Sequence, residues 1–330
     1  MYPHHHPLGN HVLVTTGAPV GGRLPSWLAV VLSLSMGGGS WAADPWADAV
    51  VDASENYTGA ELYDDPESVL GEPSTTFYDP FAGAQFIVSL VAGPFNLSEP
   101  DGEKLITTIN ADQFIKVRFD EPVEDDPFNP FGVDLLVFGN AFLAGVGGVT
   151  PETDMDSYTI TNPAGILAEP ITVAVSPSGV GDPTTHPQEW YVYADGPYAD
   201  ALYPTNAFRW DRDAGDWGEA LDFTKPVDPN IELQGFSGLA AADAIALYGR
   251  SGGGTGFDLA ETGFEAIQFV YLTGTGGEID ALADVSPDVS WQQFHGTASH
   301  VGVWPSEIRS KATVFAWSAG TEVVRVSQPA

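Results

Sequence analysis

Three carboxylates stand at alternate positions in the segment Glu152-Thr153-Asp154-Met155-Asp156. Carboxylates spaced in this way along a loop can converge on one hard cation, as the first ligands of an EF-hand loop do. The segment lacks the glycine and the distal glutamate of that loop, so it is not an EF-hand. Glu152, Asp154 and Asp156 are therefore candidate calcium ligands, and the alternative is a solvated acidic loop.

A single acid interrupts the apolar run Gly132-Val133-Asp134-Leu135-Leu136-Val137-Phe138-Gly139-Asn140. A lone carboxylate in an apolar core costs several kcal/mol unless it is paired or bound to a metal. Asp134 and Asn140 face the same side of a regular strand, but they lie about 20 Å apart along a fully extended one. Both are candidate ligands, and they can share an ion only if the strand bends after Gly139. Alternatively, Asp134 enters the strand and accepts hydrogen bonds from turn amides.

An acid run precedes this strand, in the order Asp120-Glu121-Pro122-Val123-Glu124-Asp125-Asp126. Runs of like charge are usually solvated faces. This run lies in the turn before Asp134, however, and can meet that side chain in space. Carboxylates clustered in this way need a cation to be tolerated together.

The charge balance points in the same direction. The chain has 45 acidic residues against 11 Lys and Arg, for a formal net charge of −34. Such a surface repels nucleic acid and anionic lipid, and it suits divalent cations, above all calcium. The alternative is that the acidity only keeps a secreted protein soluble.

Signatures of enzymes are scarce. Cysteine is absent, which excludes disulfides, thiolate chemistry and cysteine-ligated metals. No H-E-x-x-H metalloprotease pattern occurs, and the glycine run Gly252–Gly256 lacks the lysine of a phosphate-binding loop. Paired carboxylates for glycoside hydrolysis stay open, because spacing in sequence does not give separation in space.

Aromatic residues offer a second kind of binding site. Eight of them crowd a stretch of about 28 residues, and Trp or Tyr on loops can stack on sugar rings. The candidates for ligand binding are Trp190, Tyr203, Trp210 and Trp217. The alternative is that these rings belong to the core or hold a long insertion in place.

The N-terminal segment resembles a targeting sequence. The apolar run 24–36 is too short for a confident transmembrane helix, and small residues follow it at the positions that a signal peptidase reads. We expect residues 1–42 to be a signal peptide or leader, cleaved near Ala42 or Ala43. No second apolar segment of spanning length follows, so the mature chain is expected to lack a membrane span.

Most of the chain after residue 43 has a hydrophobic period of two, as in Phe114-Ile115-Lys116-Val117-Arg118-Phe119. With 37 Gly and 26 Pro, helices are expected to be few and short, at 66–70 after a capping Asp65 and at 240–248. The pattern predicts an all-β chain, a β-sandwich or jelly roll with long loops. We expect one domain over residues 43–285 and a C-terminal hairpin or small appendage over residues 286–330.

Several short motifs occur in a fixed order. They are Tyr57–Gly59, Asp65–Pro73, Val88–Leu90, Ile115–Val123, Gly132–Asn140, Glu169–Ser176, Phe257–Ala260 and Asp280–Ala281. This order resembles a family of secreted bacterial cell-surface proteins that often carry a PEP-CTERM sorting tail. The resemblance covers residues 50–285 and implies a jelly-roll, galactose-binding-like sandwich whose biochemical role is poorly defined.

The chain departs from the family pattern at several places. The family's glutamate before Asn140 is Gly139 here, which removes one possible oxygen ligand, and no PEP sorting tail is visible over residues 310–330. Asp258 and Asp280 come from the two closing motifs and flank the strand expected at 267–272. Both are candidate metal ligands, and both can instead hold a loop through Asx-turn hydrogen bonds.

The sequence thus favours an extracellular, non-catalytic β-sandwich of the cell surface or matrix. Calcium is its expected cofactor, and an extracellular glycan or a cell-surface protein is its expected partner, with no nucleic acid. The alternatives are an extracellular glycoside hydrolase that uses paired carboxylates and a purely structural surface component.

Overall fold

The computed structural model describes residues 44–55, 57, 62–96, 104–286, 313–317 and 323–327. The expected leader, residues 1–42, lies outside the described residues. The strands are β1 (Ala49–Ala53), β2 (Thr76–Asp79), β3 (Ala84–Ile87), β4 (Thr107–Ile109), β5 (Phe114–Glu124), β6 (Leu135–Gly139), β7 (Phe142–Gly145), β8 (Ile160–Leu167), β9 (Thr172–Ser176), β10 (Tyr191–Val192), β11 (Phe208–Asp211), β12 (Asp216–Ala220), β13 (Thr255–Phe257), β14 (Ala266–Thr273), β15 (Gly277–Asp284), β16 (Thr313–Trp317) and β17 (Val323–Ser327).

The largest sheet has five antiparallel strands in the order β1-β5-β14-β9-β10. Strand β5 alternates buried and partly exposed residues from Phe114 to Phe119, so its period of two places Ile115, Val117 and Phe119 on the core side. This alternation is the pattern that the sequence shows, because one face of the strand is wet and the other is packed.

A four-stranded antiparallel sheet has the order β13-β6-β15-β4. All five residues of β6 are buried, as expected for a dense apolar run with a partner on each side. One core cluster takes residues from both sheets. From the five-stranded sheet come Ile115, Val117, Val173, Val175, Val270 and Leu272, and from the four-stranded sheet come Ile109, Leu135, Val137, Phe257, Ile279 and Leu282.

Smaller elements complete the described part of the chain. Two-stranded antiparallel sheets join β2 to β3, β7 to β8, β11 to β12 and β16 to β17. One short helix, α1 (Ala241–Leu247), anchors a second core cluster that packs the 195–240 insertion. Four 3-10 helices span Pro66–Val69, Pro130–Gly132, Leu233–Phe236 and Leu259–Glu261.

The prediction of a mostly β chain with few and short helices is confirmed. The expected turn after Asp65 forms, with the Asp65 carboxylate accepting a hydrogen bond from the Glu67 amide at 3.1 Å. The described strands do not close into a barrel, and the jelly-roll topology stays a prediction. Within the described residues, no helix has the length and apolar character needed to cross a membrane.

The end of β6 generates a first prediction about stability. A Cβ atom at Gly139 would lie 2.3 Å from an Asp200 carboxylate oxygen and 2.6 Å from the Glu278 carbonyl oxygen. Gly139→Ala is therefore expected to lower the free energy of unfolding by about 1–3 kcal/mol or more, measured by urea denaturation. Gly148→Ala is the matched control, because a Cβ there has open space, and an equal loss in both variants would contradict the prediction.

Candidate metal centre

Asp134 is held at the entry to β6 by its backbone and by its side chain. Its amide donates to the Phe257 carbonyl and its carbonyl accepts from the Val285 amide, both at 2.9 Å. Its carboxylate is fully buried, and one oxygen accepts a hydrogen bond from the Leu259 amide at 2.9 Å. The apolar run continues into the core because the acid is fixed where the neighbouring strands β13 and β15 end.

The other oxygen of Asp134 binds the loop that follows β5. It accepts hydrogen bonds from the Asn129 side-chain amide at 2.9 Å and from the Asp126 backbone amide at 3.2 Å. The interpretation of Asp134 as an acceptor for turn amides is therefore correct. It does not exclude a cation, because a carboxylate has more lone pairs than these three donors use.

Three carboxylates from separate parts of the chain meet at this point. One oxygen each from Asp125, Asp134 and Asp258 lies within 4.8 Å of the others. Asp125 directly follows β5, Asp134 directly precedes β6, and Asp258 follows β13. Asp258 is also the N-cap of the 3-10 helix Leu259–Glu261, because its side chain accepts a hydrogen bond from the Ala260 amide at 2.8 Å.

The electrostatics of this cluster are unfavourable without a cation. Burial raises the pKa of Asp134 to about 6, against three hydrogen bonds that lower it, and the charge of Asp125 adds to the rise. Burial also raises the pKa of Asp284 to about 7, with Asp134 and Glu124 contributing. Two full negative charges at 4.8 Å, the upper limit of the oxygen separations in this cluster, would repel by roughly 3–4 kcal/mol at an effective dielectric constant near 20.

The ion pairs observed in the described part of the chain lie outside this cluster. The ion pairs there join Lys104, Lys116, Arg118 and Arg212 to acids outside the cluster, namely Asp52, Asp64, Asp120, Asp156 and Asp243. The cluster therefore has hydrogen-bond donors but no counter-charge from these side chains.

Asn129 holds an unpaired acceptor close to Asp134. Its side chain is 5% exposed, and its Nδ2 donates to Asp134. Its Oδ1 is buried without a hydrogen-bond partner, which leaves an acceptor unsatisfied next to the carboxylates. Such an orphan costs about 1–3 kcal/mol. An amide oxygen is a hard ligand, so a cation held by Asp125, Asp134 and Asp258 would satisfy it.

A second carboxylate group lies at the other end of β6. One oxygen each from Glu169, Asp200 and Glu278 lies within 4.8 Å of the others. Asp200 is buried, accepts a hydrogen bond from the Ala141 amide at 2.7 Å, and has a pKa raised well above its usual value, mainly by burial. Burial raises the pKa of Glu278 as well, although Thr108 donates to it at 2.9 Å.

The structure brings together only part of the predicted metal set. Asp134 and Asp258 join the first cluster, together with Asp125 from the acid run that was expected to meet Asp134 in space. Neither described carboxylate cluster includes Glu152, Asp154, Asp156 or Asp280. Asn140 directly follows β6, next to Ala141, whose amide donates to Asp200 of the second cluster.

The acidic loop at 152–156 uses its side chains locally. Its three acids are exposed, and the Asp154 carboxylate accepts a hydrogen bond from the Asp156 amide at 3.0 Å. Asp156 pairs with Arg212 at 3.2 Å and accepts a hydrogen bond from the Trp210 indole at 3.0 Å. These contacts fit the alternative reading of a solvated acidic loop.

The predicted aromatic site is spread over different environments. Trp190 and Tyr203 are 5% and 7% exposed, so their rings present little surface for stacking on a sugar. Trp210 and Trp217 are partly buried and form an edge-to-face pair with ring centroids 5.4 Å apart. A stacking role for the Trp210–Trp217 pair stays a prediction.

One sequence pattern that is typical of serine hydrolases does occur in the chain. Gly249-Arg250-Ser251-Gly252-Gly253 has the G-x-S-x-G spacing of a hydrolase nucleophile. Ser251, however, is 1% exposed, and its Oγ accepts a hydrogen bond from the Gly253 amide at 3.0 Å. It follows helix α1 and precedes strand β13, which reverses the strand-turn-helix order of a nucleophile elbow.

Comparison of the sequence with models of known protein families and with characterised proteins finds no match. The resemblance to secreted bacterial surface proteins stays a prediction from the order of short motifs. Asn129 and Asp200 are not singled out by the sequence, because only the fold brings them beside other acids. Glu169 opens one of the ordered motifs, but nothing local places it beside Asp200 and Glu278.

Asp280 generates a prediction about pH. It is buried, accepts hydrogen bonds from the Ser74 amide at 2.9 Å and the Ser74 hydroxyl at 2.8 Å, and has a pKa raised to about 7 by burial. Because the folded pKa lies above the unfolded value of 3.8, the contribution of Asp280 to stability is fully present below about pH 4 and is lost as the pH rises through about 7.

Asp280→Asn keeps an acceptor and removes the charge. We expect it to raise the free energy of unfolding at pH 8 by on the order of a few kcal/mol and to leave it nearly unchanged at pH 4, measured by urea denaturation. Asp213→Asn, an exposed change, is the control and should have little effect at either pH. A loss of stability in Asp280→Asn at pH 8 would show that the ionised carboxylate is needed.

Proposed function

We propose that this chain is a secreted, non-catalytic β-sandwich of the cell surface or extracellular matrix, of the jelly-roll class, stabilised by calcium in its loops. One observation carries the proposal. One oxygen each from Asp125, Asp134 and Asp258 lies within 4.8 Å of the others, and Asn129, whose Nδ2 donates to Asp134, keeps a buried side-chain oxygen without a hydrogen-bond partner. The three carboxylates and the Asn129 amide all offer oxygen atoms, which are the ligands that a hard cation prefers.

The donor set favours calcium over other metals. All four groups offer oxygen, and they come from loops and strand ends of irregular geometry. Calcium accepts six to eight oxygen ligands in flexible arrangements, whereas magnesium demands a near-ideal octahedron and keeps its water. Zinc prefers nitrogen and sulfur ligands, and the chain has no cysteine.

A bound cation would join segments that are distant in sequence. Asp125 and Asp134 flank the loop between β5 and β6, and Asp258 lies more than a hundred residues later. An ion bound only by the folded chain stabilises it by mass action, and here it would also remove carboxylate repulsion. Calcium would therefore act as a staple in a chain that has no disulfide.

The burial of the acids favours binding over hydrolysis. A glycoside hydrolase needs two carboxylates on opposite sides of an accessible sugar, about 5 to 9.5 Å apart. Asp134, Asp200 and Asp280 are each at most 3% exposed, which supports structural and ligand roles for them. The motif order shared with secreted bacterial surface proteins and the net charge of −34 support a location outside the cell.

A thermal melt tests the calcium site. We expect excess calcium to raise the midpoint of the purified chain by several degrees relative to chelator, and by more than magnesium does. At a hundredfold excess over the dissociation constant the gain is about 2.7 kcal/mol. Asp125→Asn should lose most of this shift without losing stability in chelator, because the change also relieves repulsion.

The matched control replaces acids of the other candidate loop. The double change Glu152→Gln and Asp154→Asn should keep the full calcium shift. If that control loses the shift and Asp125→Asn keeps it, the ion lies in the 152–156 loop instead. An unchanged midpoint in calcium for the unmodified chain would leave the acidity as a solubility device and favour the structural alternative.

A further inference from the structure

Six peptide bonds in the described part of the chain join an aspartate to a proline. They follow Asp44, Asp65, Asp79, Asp126, Asp182 and Asp228. An Asp–Pro bond is labile in acid, because the side-chain carboxyl can attack its own carbonyl carbon through a five-membered ring and the proline nitrogen is a basic leaving group. At all six bonds the carboxylate accepts a hydrogen bond from the amide two residues on. Differences in reactivity between them therefore depend on the other groups around each bond.

The bond after Asp182 has a side-chain relay that ends on the carboxylate. We name residues 181–186 the 181–186 turn. The Asp182 Oδ2 accepts a hydrogen bond from the Thr185 hydroxyl at 2.6 Å, and the same hydroxyl oxygen lies 3.0 Å from the His186 Nδ1. His186 is the single histidine among the described residues, so within them the other five bonds have no imidazole beside them.

The direction of the relay follows from the number of protons on each group. A threonine hydroxyl has one proton, and that of Thr185 is donated to Asp182. The contact between Thr185 and His186 is therefore a hydrogen bond only when Nδ1 is the donor. An imidazolium has a proton on both nitrogens, and histidine side chains become imidazolium as the pH falls from about 8 to about 5. The relay thus directs a proton toward the Asp182 carboxylate in mild acid.

The backbone of the turn prepares the carbonyl group for attack. The His186 amide donates a hydrogen bond to the Asp182 carbonyl oxygen at 2.9 Å. This donor polarises the carbonyl and stabilises the negative charge that develops on its oxygen during attack. The amides of Thr184 and Thr185 donate to the Asp182 Oδ1 at 2.9 Å each and hold the side chain in place. The His186 imidazole packs against Gly181 and leaves no room there for a Cβ atom, which fixes the ring beside the residue that precedes Asp182.

Other charged and titratable groups around this turn do not replace the imidazole as the acid-sensitive group. Lys116 on β5 donates to the carbonyl that precedes Asp182 at 3.2 Å and pairs with Asp52 on β1 at 3.8 Å. Glu189 contacts the turn through its backbone amide, and its carboxylate accepts a hydrogen bond from a neighbouring serine hydroxyl at 2.8 Å. Burial, followed by the charge of Asp182, raises the pKa of Tyr271 on β14 to about 12. Histidine is the one side chain among these types that ordinarily changes charge between pH 5 and pH 8.

The resting state of Asp182 is the carboxylate. The hydrogen bond from the Thr185 hydroxyl holds the pKa of Asp182 below its usual value, and backbone amides and the charge of His186 add to this effect. At neutral pH the leaving nitrogen therefore has no proton available from this side chain. The bond is stable until an imidazolium supplies that proton through the relay.

We propose that the Asp182–Pro183 bond cleaves itself in mild acid. His186 is the proton source and Thr185 is the relay, so a proton moves from the imidazolium through the hydroxyl to the Asp182 Oδ2. The Oδ1 atom then forms a bond to the Asp182 carbonyl carbon, and the C–N bond to Pro183 breaks. The nitrogen keeps the electron pair and takes the proton from Oδ2. Water opens the resulting cyclic anhydride to a C-terminal Asp182 with two carboxyl groups, and the imidazole regains a proton from solvent.

The two pieces of the cleaved chain would stay together. Strand β9 precedes the bond and β14 follows it, and these strands pair antiparallel. Self-cleavage would therefore leave a nicked fold with a new amino terminus at Pro183. The proposal does not depend on the calcium site, because no residue of the 181–186 turn belongs to either carboxylate cluster.

Incubation of the purified full chain at pH 5 and at pH 8, with protease inhibitors, tests the proposal. Mass spectrometry of the denatured samples identifies the cut bond. We expect fragments that end at Asp182 and begin at Pro183 to form at pH 5, at a rate independent of protein concentration, and at least about tenfold more slowly at pH 8. Urea at pH 5 should remove the preference for this bond, because only the folded turn holds the relay together.

The Asp79–Pro80 bond is the matched internal control. Its carboxylate also accepts hydrogen bonds from the amides two and three residues on, at 2.7 and 3.1 Å, and its carbonyl accepts one from the Gly83 amide at 2.7 Å. This bond has the same backbone pattern as the 181–186 turn but no histidine, so it should stay intact over the same time.

Variants of the relay separate its chemistry from its shape. Thr185→Val keeps the size of the side chain without the hydroxyl and should slow cleavage about tenfold, whereas Thr185→Ser keeps the hydroxyl and should cleave at nearly the original rate. His186→Gln should remove the difference between the rates at pH 5 and pH 8.

Four results would overturn the proposal. They are the absence of a cut after Asp182 at pH 5, a cut after Asp79 at the same rate, a rate that rises with protein concentration, and an unchanged rate in both Thr185→Val and His186→Gln. The third would assign the cut to a protease in the sample. The fourth would assign it to the ordinary acid lability of an exposed Asp–Pro bond.

Discussion

The buried carboxylate of Asp134 must be stabilised where β13, β6 and β15 come together. Its carboxylate accepts three hydrogen bonds, from Asn129, Asp126 and Leu259. They connect the loop between β5 and β6, and the segment after β13, to the start of β6. These donors lower its pKa, yet burial still raises it to about 6. The surrounding acids then make the same junction a point of high negative potential, which a cation would neutralise.

The local signals in the sequence predict the strands well. The alternation along β5 and the dense apolar run of β6 correspond to strands with one and two packed faces. The cap at Asp65 also forms as its residue types require. These features depend on neighbours within a few residues, so a sequence contains them. The strand order depends on pairings over a hundred residues or more, as between β5 and β14, and no local pattern encodes it.

The candidate site was predictable only in part for the same reason. Asp134 stands out because it interrupts an apolar run, and the acid run before it, which ends at Asp126, contains Asp125. The meeting with Asp258 and the orphan oxygen of Asn129 arise from tertiary packing. Asp200 is similar. Its buried carboxylate lies against Gly139, where a Cβ would collide with it, so the absence of a side chain in one strand makes room for an acid from a distant loop.

The two carboxylate clusters differ in how completely the protein satisfies them. In the cluster of Glu169, Asp200 and Glu278, burial raises the pKa of Asp200 and of Glu278, which favours their protonated forms, and the Ala141 amide and the Thr108 hydroxyl donate to these two side chains. Near Asp125, Asp134 and Asp258, the side-chain oxygen of Asn129 also lacks a hydrogen-bond partner. A proton on Asp134, which already accepts three hydrogen bonds, would relieve only part of the charge repulsion. Proton uptake can stabilise the first arrangement by itself. The second keeps an acceptor without a donor, and a multivalent cation bound there would neutralise the carboxylates in a single step.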